Sequence, residues 1–183
     1  MSNNNPTSWK QITREERYFT SLLFHDLMKN SASLIKLFPS EMGIPAGTIA
    51  KEVGYEVCFF RDAFRKDLIK RQKRFEGQKF DLVLFLSSDH MVIIEAKAQQ
   101  GFDSDQIQNL LEAKDKIAES GFKPATEVSL VALYSSNYSP REQTLKDFDA
   151  RITWQQVAGV YSDSEYKKDY ERADCIYADR RDC

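Results

Sequence analysis

The chain has little cysteine, no long apolar segment and almost no net charge, and each absence excludes a class of protein. The three cysteines among 183 residues are scattered and form no CxxC pair, so neither a zinc site nor a disulfide framework is indicated. No apolar run approaches the length of a membrane span, and the polar N-terminus, MSNNNPTSWK, has no apolar signal region. We therefore expect a protein that makes no membrane contact and lies in a reducing cytoplasm.

The net charge of −2 also means that the chain as a whole does not look like a nucleic-acid-binding protein. Binding of that kind would need a local basic patch. One segment offers it, because Arg61 to Lys79 contains eight basic and three acidic residues, a local excess of +5. Such a run is compatible with a solvated helix face and with a phosphate-contacting surface. The candidate phosphate contacts are Arg65, Lys66, Lys70, Arg71, Lys73 and Arg74.

The chain is organised around residues 80–110, where charge occurs in segments that a buried strand would keep apolar. Residues 82–86 and 91–97 are short apolar runs separated by polar turn residues, which predicts two buried strands of a hairpin. Asp81 opens the first run, and Glu95 and Lys97 close the second. Buried charges of this kind need partners. A hard divalent cation such as Mg²⁺, which binds one or two carboxylates, would be such a partner.

This pattern resembles that of the PD-(D/E)XK nuclease superfamily, which has an acid at the head of one strand and acid-x-Lys on its neighbour. Asp81 and Glu95-Ala96-Lys97 match it, with 13 residues between the two acids. Phe80 stands where the superfamily usually has proline. Many members carry a glutamine on the following helix, and Gln106 lies at that place in DSDQIQNL. A glutamate on the first helix, four residues before a threonine, is also common, and Glu16 lies four residues before Thr20.

The resemblance implies a nuclease that depends on Mg²⁺ or Mn²⁺ and has a restriction-endonuclease-like fold. Asp81, Glu95 and the carbonyl oxygen of Ala96 would hold the metal, with Glu16 contributing directly or through water. Lys97 would orient or activate the attacking water and stabilise developing charge, and Gln106 would position water or a phosphate oxygen. DNA is a more common substrate of the superfamily than RNA, and its members are commonly dimers. We therefore expect nucleic acid, DNA before RNA, as the partner, and a homodimer is compatible with the resemblance.

Each of these residues also has a plain alternative. Glu16 is explained by a capping box that begins at Thr13, Asp81 by capping the start of a strand, and Lys97 by an ion pair with Glu95. A protein of the same fold that binds nucleic acid or regulates without cutting therefore stays open as the alternative function.

The hairpin provides a structural criterion for the nuclease interpretation. Glu95 and Lys97 share one strand face, and Asp81 joins that face only if the numbers of paired residues sum to an even value. A loop with an odd number of residues gives that register, whereas a two- or four-residue loop points Asp81 the other way.

The remaining pattern predicts one mixed α/β domain over residues 1–183, with a central sheet flanked by helices. We expect helices over 13–30, 61–74, 103–120 and 153–160, a shorter helical piece over 31–40, and strands over 52–60 and 127–133. Residues 1–10 are expected to be disordered, and residues 162–183 to form a loosely attached tail.

Overall fold

The centre of the protein is a five-stranded mixed sheet in which the strands follow one another in chain order. The computed structural model describes residues 13, 15–140 and 142–177. The first three strands are antiparallel and the last three are parallel, so β3 belongs to both parts of the sheet. The strands are β1 Ala50–Val57, β2 Phe80–Leu86, β3 His90–Ala96, β4 Glu127–Tyr134 and β5 Ala150–Thr153.

Helices cover both faces of this sheet. They are α1 Glu16–Ile35, α2 Phe59–Arg65, α3 Ser104–Ala118, α4 Glu142–Leu145, α5 Trp154–Val160 and α6 Lys167–Cys175. On one face, α1, α5 and α6 pack over residues such as Leu84 and Ile94. On the other face, α2 and α3 pack over residues such as Val83 and Ile93. The protein is therefore a single α/β domain with a mixed sheet flanked by helices, as the sequence predicts. No described helix has the length and apolar composition needed to cross a bilayer.

The hairpin between β2 and β3 has the register that the sequence-based criterion requires. Its loop has three residues, and Asp89 closes it in the left-handed region with φ 56°. The pairs Leu82–Ile94 and Val83–Ile93 sum to an even number, so the next step of the register places Asp81 opposite Glu95. Both side chains therefore lie on the face of the sheet that α3 covers.

The prediction of one helix over 61–74 is wrong about where that helix begins and ends. The helix α2 begins at Phe59, inside the segment expected to be a strand, and ends at Arg65. Asp67 then adopts a left-handed conformation with φ 56°, which a continuing helix cannot accommodate. Between Asp67 and Phe80 the chain is irregular apart from one 3₁₀ turn over Lys73–Phe75. The basic residues of this segment consequently do not share one helix face.

Two other expectations about helices also differ from the structure. The helix α1 has Glu15 at its N-cap, without a side-chain capping bond, and continues to Ile35 through a kink at Asn30. The segment 162–177 is not a loose tail, because α6 buries Tyr170 and Ala173 completely against α1 and α5. The expected disorder of residues 1–10, and residues 178–183 of the expected tail, lie outside the described residues. The short edge strand β5 was not expected from the sequence.

Candidate active site

Asp81, Glu95 and Lys97 meet at one end of the sheet because β2 and β3 are antiparallel. Asp81 is the second residue of β2, and Glu95 is the penultimate residue of β3. Asp81 bridges the two strands, since its Oδ2 accepts a hydrogen bond from the backbone N–H of Ala96 at 2.9 Å. This bond fixes the Asp81 carboxylate beside the last residue of β3.

Lys97 follows β3 directly, and its backbone is held on two sides. Its N–H donates to the carbonyl oxygen of Leu133 at 2.7 Å, and its own carbonyl oxygen accepts from Nε1 of Trp154 at 3.0 Å. Its ammonium lies 2.8 Å from Oε1 of Glu95 and 3.6 Å from Oε2 of Glu16. The lysine therefore joins the end of β3 to the start of α1.

Gln106 reaches the site from the first turn of α3. The side chain of Asp103 caps this helix by accepting from the N–H groups of Asp105 and Gln106 at 2.9 and 3.2 Å. The amide Nε2 of Gln106 donates to Oε1 of Glu95 at 2.5 Å. One oxygen of Glu95 thus accepts from both Lys97 and Gln106, which fixes the orientation of the carboxylate.

Glu16 is the first residue of α1 and contributes the third carboxylate. It lies in the first helical turn, where the partial positive charge of the helix end favours an acid. The hydroxyl of Thr20 donates to the backbone carbonyl oxygen of Glu16 at 3.1 Å, so Thr20 serves the helix and not the carboxylate. The position of Glu16 is explained locally by the helix, while its side chain faces Lys97.

Burial raises the pKa of all three carboxyl groups at this site. Glu95 is 3% exposed, and burial, followed by the charge of Asp81, raises its pKa to about 7. Burial also raises the pKa of Asp81, although the Ala96 N–H and Lys97 oppose it. The pKa of Glu16 is raised by burial against the opposing charge of Lys97. Burial disfavours the Lys97 ammonium, but Glu95, Glu16 and Asp81 together raise its pKa.

The three carboxyl groups therefore lie around one cation, the Lys97 ammonium, in a place that water reaches poorly. Burial is the main reason that these carboxyl groups resist ionisation, and two carboxylates would also remain electrostatically uncompensated if all three were ionised. An added divalent cation would supply the missing positive charge.

The donor set fits a hard cation such as Mg²⁺ but does not form a closed cage. Among the described residues, no three or more His, Cys, Asp or Glu side chains are arranged so that they could hold a metal ion. Mg²⁺, however, commonly binds to only one or two carboxylates and keeps several waters. Asp81, Glu95 and the carbonyl oxygen of Ala96 are of the kind that such a site uses.

A cavity of about 420 Å³ opens beside Glu95 and Gln106. It lies between α3 and the segment 74–79, and six of its eight lining residues have polar side chains. Arg74 and Lys79 bring positive charge to it. Sequence reasoning missed this cavity, because its wall depends on how an irregular segment packs against a helix.

The six expected phosphate contacts are all exposed, but only one of them adjoins the site. Arg74 lines the cavity beside Glu95. Arg71 pairs with Glu76 at 2.5 Å, away from the cavity. Within the described chain, the remaining four form no ion pair; they are Arg65, Lys66, Lys70 and Lys73. The structure thus brings together Asp81, Glu95, Ala96, Lys97, Gln106 and Glu16, and separates most of the basic residues from them.

Glu56 is a further residue near the site that sequence reasoning did not select. It lies in β1 with φ 50°, a conformation that is strained for a glutamate. Its carboxylate pairs with Nε of Arg17 at 2.8 Å and Nζ of Lys79 at 3.1 Å. Its charge is among the influences that raise the pKa of Asp81. No local sequence signal marks Glu56, because its role arises from the pairing of β1 with β2.

No family model, no curated protein and no solved structure matches the chain. We therefore infer the function from the geometry and electrostatics of this site.

Proposed function

We propose that the protein is a Mg²⁺-dependent nuclease, with Mn²⁺ as a substitute, that hydrolyses phosphodiester bonds in DNA. The observation that carries the proposal is that Glu95 and Glu16 pair with the Lys97 ammonium at one end of the sheet, where the Ala96 N–H holds the Asp81 carboxylate beside them. The raised carboxyl pKa values support it, because burial first and repulsion between the acids second disfavour ionisation here, and a bound cation would offset both effects. The mixed sheet flanked by helices is compatible with a restriction-endonuclease-like fold.

Asp81, Glu95 and the Ala96 carbonyl oxygen would hold the metal, with Glu16 beside them. When bound, a divalent cation polarises a phosphate oxygen and lowers the pKa of water. Without metal, Glu95, Glu16 and Asp81 raise the pKa of Lys97 against its burial, so the side chain is a protonated hydrogen-bond donor in that state. Its ammonium would stabilise negative charge on the phosphate as it develops. Gln106 holds the Glu95 carboxylate in place through Oε1.

Metal binding and cleavage should both depend on Asp81. We expect Asp81→Asn to weaken Mn²⁺ binding by more than about 100-fold, beyond the 10–100-fold typical of residues that only orient ligands. Asparagine keeps an oxygen that can accept from the Ala96 N–H, so the hairpin should fold. The measurement is calorimetric titration of Mn²⁺, with cleavage of plasmid and single-stranded DNA assayed in parallel, with and without EDTA.

Asp89→Asn is the matched control for this substitution. It makes the same chemical change in the same hairpin, but in the exposed loop at the end away from Asp81. Asparagine tolerates the left-handed conformation that Asp89 adopts. Equal behaviour of the two variants would refute the site. Metal binding by the wild type without DNA cleavage would refute DNA as the substrate, and absence of metal binding would favour the non-cutting alternative.

Lys97→Met separates metal binding from chemistry. Lys97 is not one of the proposed metal ligands, and its ammonium competes with the metal for the Glu95 carboxylate. This variant should therefore still bind Mn²⁺. Its cleavage rate should fall by about 100-fold or more, the usual loss when one transition-state donor is removed. Loss of metal binding in step with cleavage would contradict the role assigned to the lysine. The same calorimetric and cleavage assays measure both quantities.

A further inference from the structure

The cavity beside Glu95 is lined mainly by residues with polar side chains. Its two apolar wall residues are Phe75 and Leu110, and its other lining side chains are polar. We call it the polar cavity, and define it by Arg74, Gln78, Lys79, Glu95, Gln106 and Asn109. A volume of about 420 Å³ falls within the range of about 300–1,000 Å³ that is usual for ligand pockets.

The two cations of the polar cavity are held by acids that do not line it. Nη1 of Arg74 lies 2.5 Å from Oε2 of Glu112, and its Nη2 donates to Oδ1 of Asn109 at 3.0 Å. Nζ of Lys79 donates to Oε2 of Glu56 at 3.1 Å. Both cations are exposed, and exposed ion pairs contribute little net stability. A phosphate could therefore replace these carboxylates, and it would suit the bidentate donor geometry of Arg74.

The amides of the polar cavity suit a nucleobase. Gln78 and Asn109 are half-buried, and each amide carries both a donor and an acceptor. Base edges in single strands are recognised by groups of this kind, whereas a paired base does not present its Watson–Crick edge. Glu95 and Gln106 also line the cavity, so a nucleotide bound here lies next to the carboxylates of the site.

We propose that the polar cavity binds one unpaired nucleotide of a nucleic-acid strand, next to the bond that is cut. Arg74 contacts its phosphate after leaving Glu112, and the amides of Gln78 and Asn109 contact its base. The assignment rests on the proposed nuclease function for its neighbouring cut site, while the binding of the nucleotide itself can be measured independently. It makes single-stranded or locally unpaired nucleic acid the preferred substrate.

Binding should distinguish Arg74 from Arg71, its matched control. Both arginines are exposed, lie in the same segment and pair with a glutamate, but only Arg74 lines the cavity. The probe is a fluorescein-labelled single-stranded DNA 20-mer, with binding followed by anisotropy in EDTA. We expect Arg74→Met to weaken binding by about tenfold or more, as for a charge-assisted hydrogen bond, and to reduce the salt slope by about 0.7. Arg71→Met should change affinity less than about twofold.

Two further variants keep the proposal testable if Arg74→Met folds poorly. Glu112→Gln releases Arg74 without removing it and should tighten binding. Asn109→Leu removes an amide but no charge, so it should weaken binding of the single strand and leave the salt slope unchanged. A duplex of the same sequence should bind more weakly than the single strand. Circular dichroism checks that each variant is folded.

Equal losses in Arg74→Met and Arg71→Met would overturn the proposal in favour of a diffuse basic surface, and so would equal affinity for single strand and duplex. The cleavage assay with Mg²⁺ separates this outcome from failure of the nuclease proposal. If the wild type binds the strand through Arg74 but does not cut it, the proposed nucleotide site stands and the proposed nuclease function is refuted. A wild type that cuts, with Arg74→Met binding and cutting equally well, refutes the cavity alone.

Discussion

Glu95 is an ionisable group that the fold buries almost completely, and burial disfavours its charged form. It is 3% exposed, accepts from Lys97 and Gln106, and has a pKa of about 7 in the folded chain. In the unfolded chain its pKa is near 4.5. Because folding raises the pKa of Glu95, protonation of this carboxyl group stabilises the folded state relative to the unfolded state. This stabilisation is complete below pH 4.5 and is lost as the pH rises through 7.

The stability difference between wild type and Glu95→Gln should therefore depend on pH. Without metal, the variant should gain relative stability between pH 4.5 and 8, by on the order of 3 kcal/mol, the free energy equivalent to the pKa shift of Glu95. Saturating Mg²⁺ should restore much of the stability that the wild type loses at the upper end, because a cation favours the ionised carboxylate. Urea denaturation across this pH range measures the difference. A pH-independent difference would show that Glu95 titrates normally.

At the scale of elements, α3 is the part that connects local sequence to the site. Asp103 caps its first turn, and the same turn presents Gln106 to Glu95. The orientation of a group in the site thus depends on a capping bond outside it.

Asp103→Ala should lower the free energy of unfolding by about 1 kcal/mol, the usual value of an N-cap, and should also reduce cleavage by freeing Gln106. Asp103→Asn should restore both, since asparagine caps a helix equally well. Asp105→Ala is the control, because Asp105 is exposed in the same turn and its side chain makes no capping bond. Chemical denaturation and the cleavage assay provide the two readouts. Equal effects of the two alanine substitutions would exclude a specific role for the cap.

The elements that the sequence predicts well are those with local signals. The hairpin is indicated by two apolar runs and polar turn residues, β4 by an apolar run, and α5 by a region of helical spacing that begins at Thr153. The strand β5 has only four residues and depends on parallel pairing with β4, which no short-range pattern reveals. The basic segment after Arg65 has helical spacing, but the chain turns at Asp67.

The candidate site divides in the same way. Asp81, Glu95 and Lys97 could be selected from the sequence as one group, on the condition that the hairpin loop has an odd number of residues, and the structure supplies that register. Glu56 and the polar cavity could not, since the first depends on the pairing of β1 with β2 and the second on packing of residues 74–79 against α3. Sequence reasoning therefore finds the charged centre but not the surface that would select its substrate.

At the scale of the whole molecule, α6, the last described helix, supports the site through Trp154. Tyr170 is fully buried and stacks on Trp154, with ring centroids 6.1 Å apart. Trp154 in turn donates to the Lys97 carbonyl oxygen. The hydroxyl of Tyr170 donates to Oδ2 of the buried Asp26 at 2.7 Å, which ties α6 to α1. The segment expected to be a loose tail is therefore part of the framework that holds the lysine.

Tyr170→Ala should consequently destabilise the whole domain, by about 3–5 kcal/mol, as is usual when a large buried aromatic side chain is removed. Tyr170→Phe keeps the ring and loses only the bond to Asp26, so its cost should be about 1–3 kcal/mol. Lys168→Ala, at an exposed position on the same helix, should change stability by less than about 0.5 kcal/mol. Urea denaturation followed by Trp fluorescence measures all three. A Tyr170→Ala variant as stable as the lysine control would mean that α6 is not part of the folding unit, and Lys97 would then need no support from it.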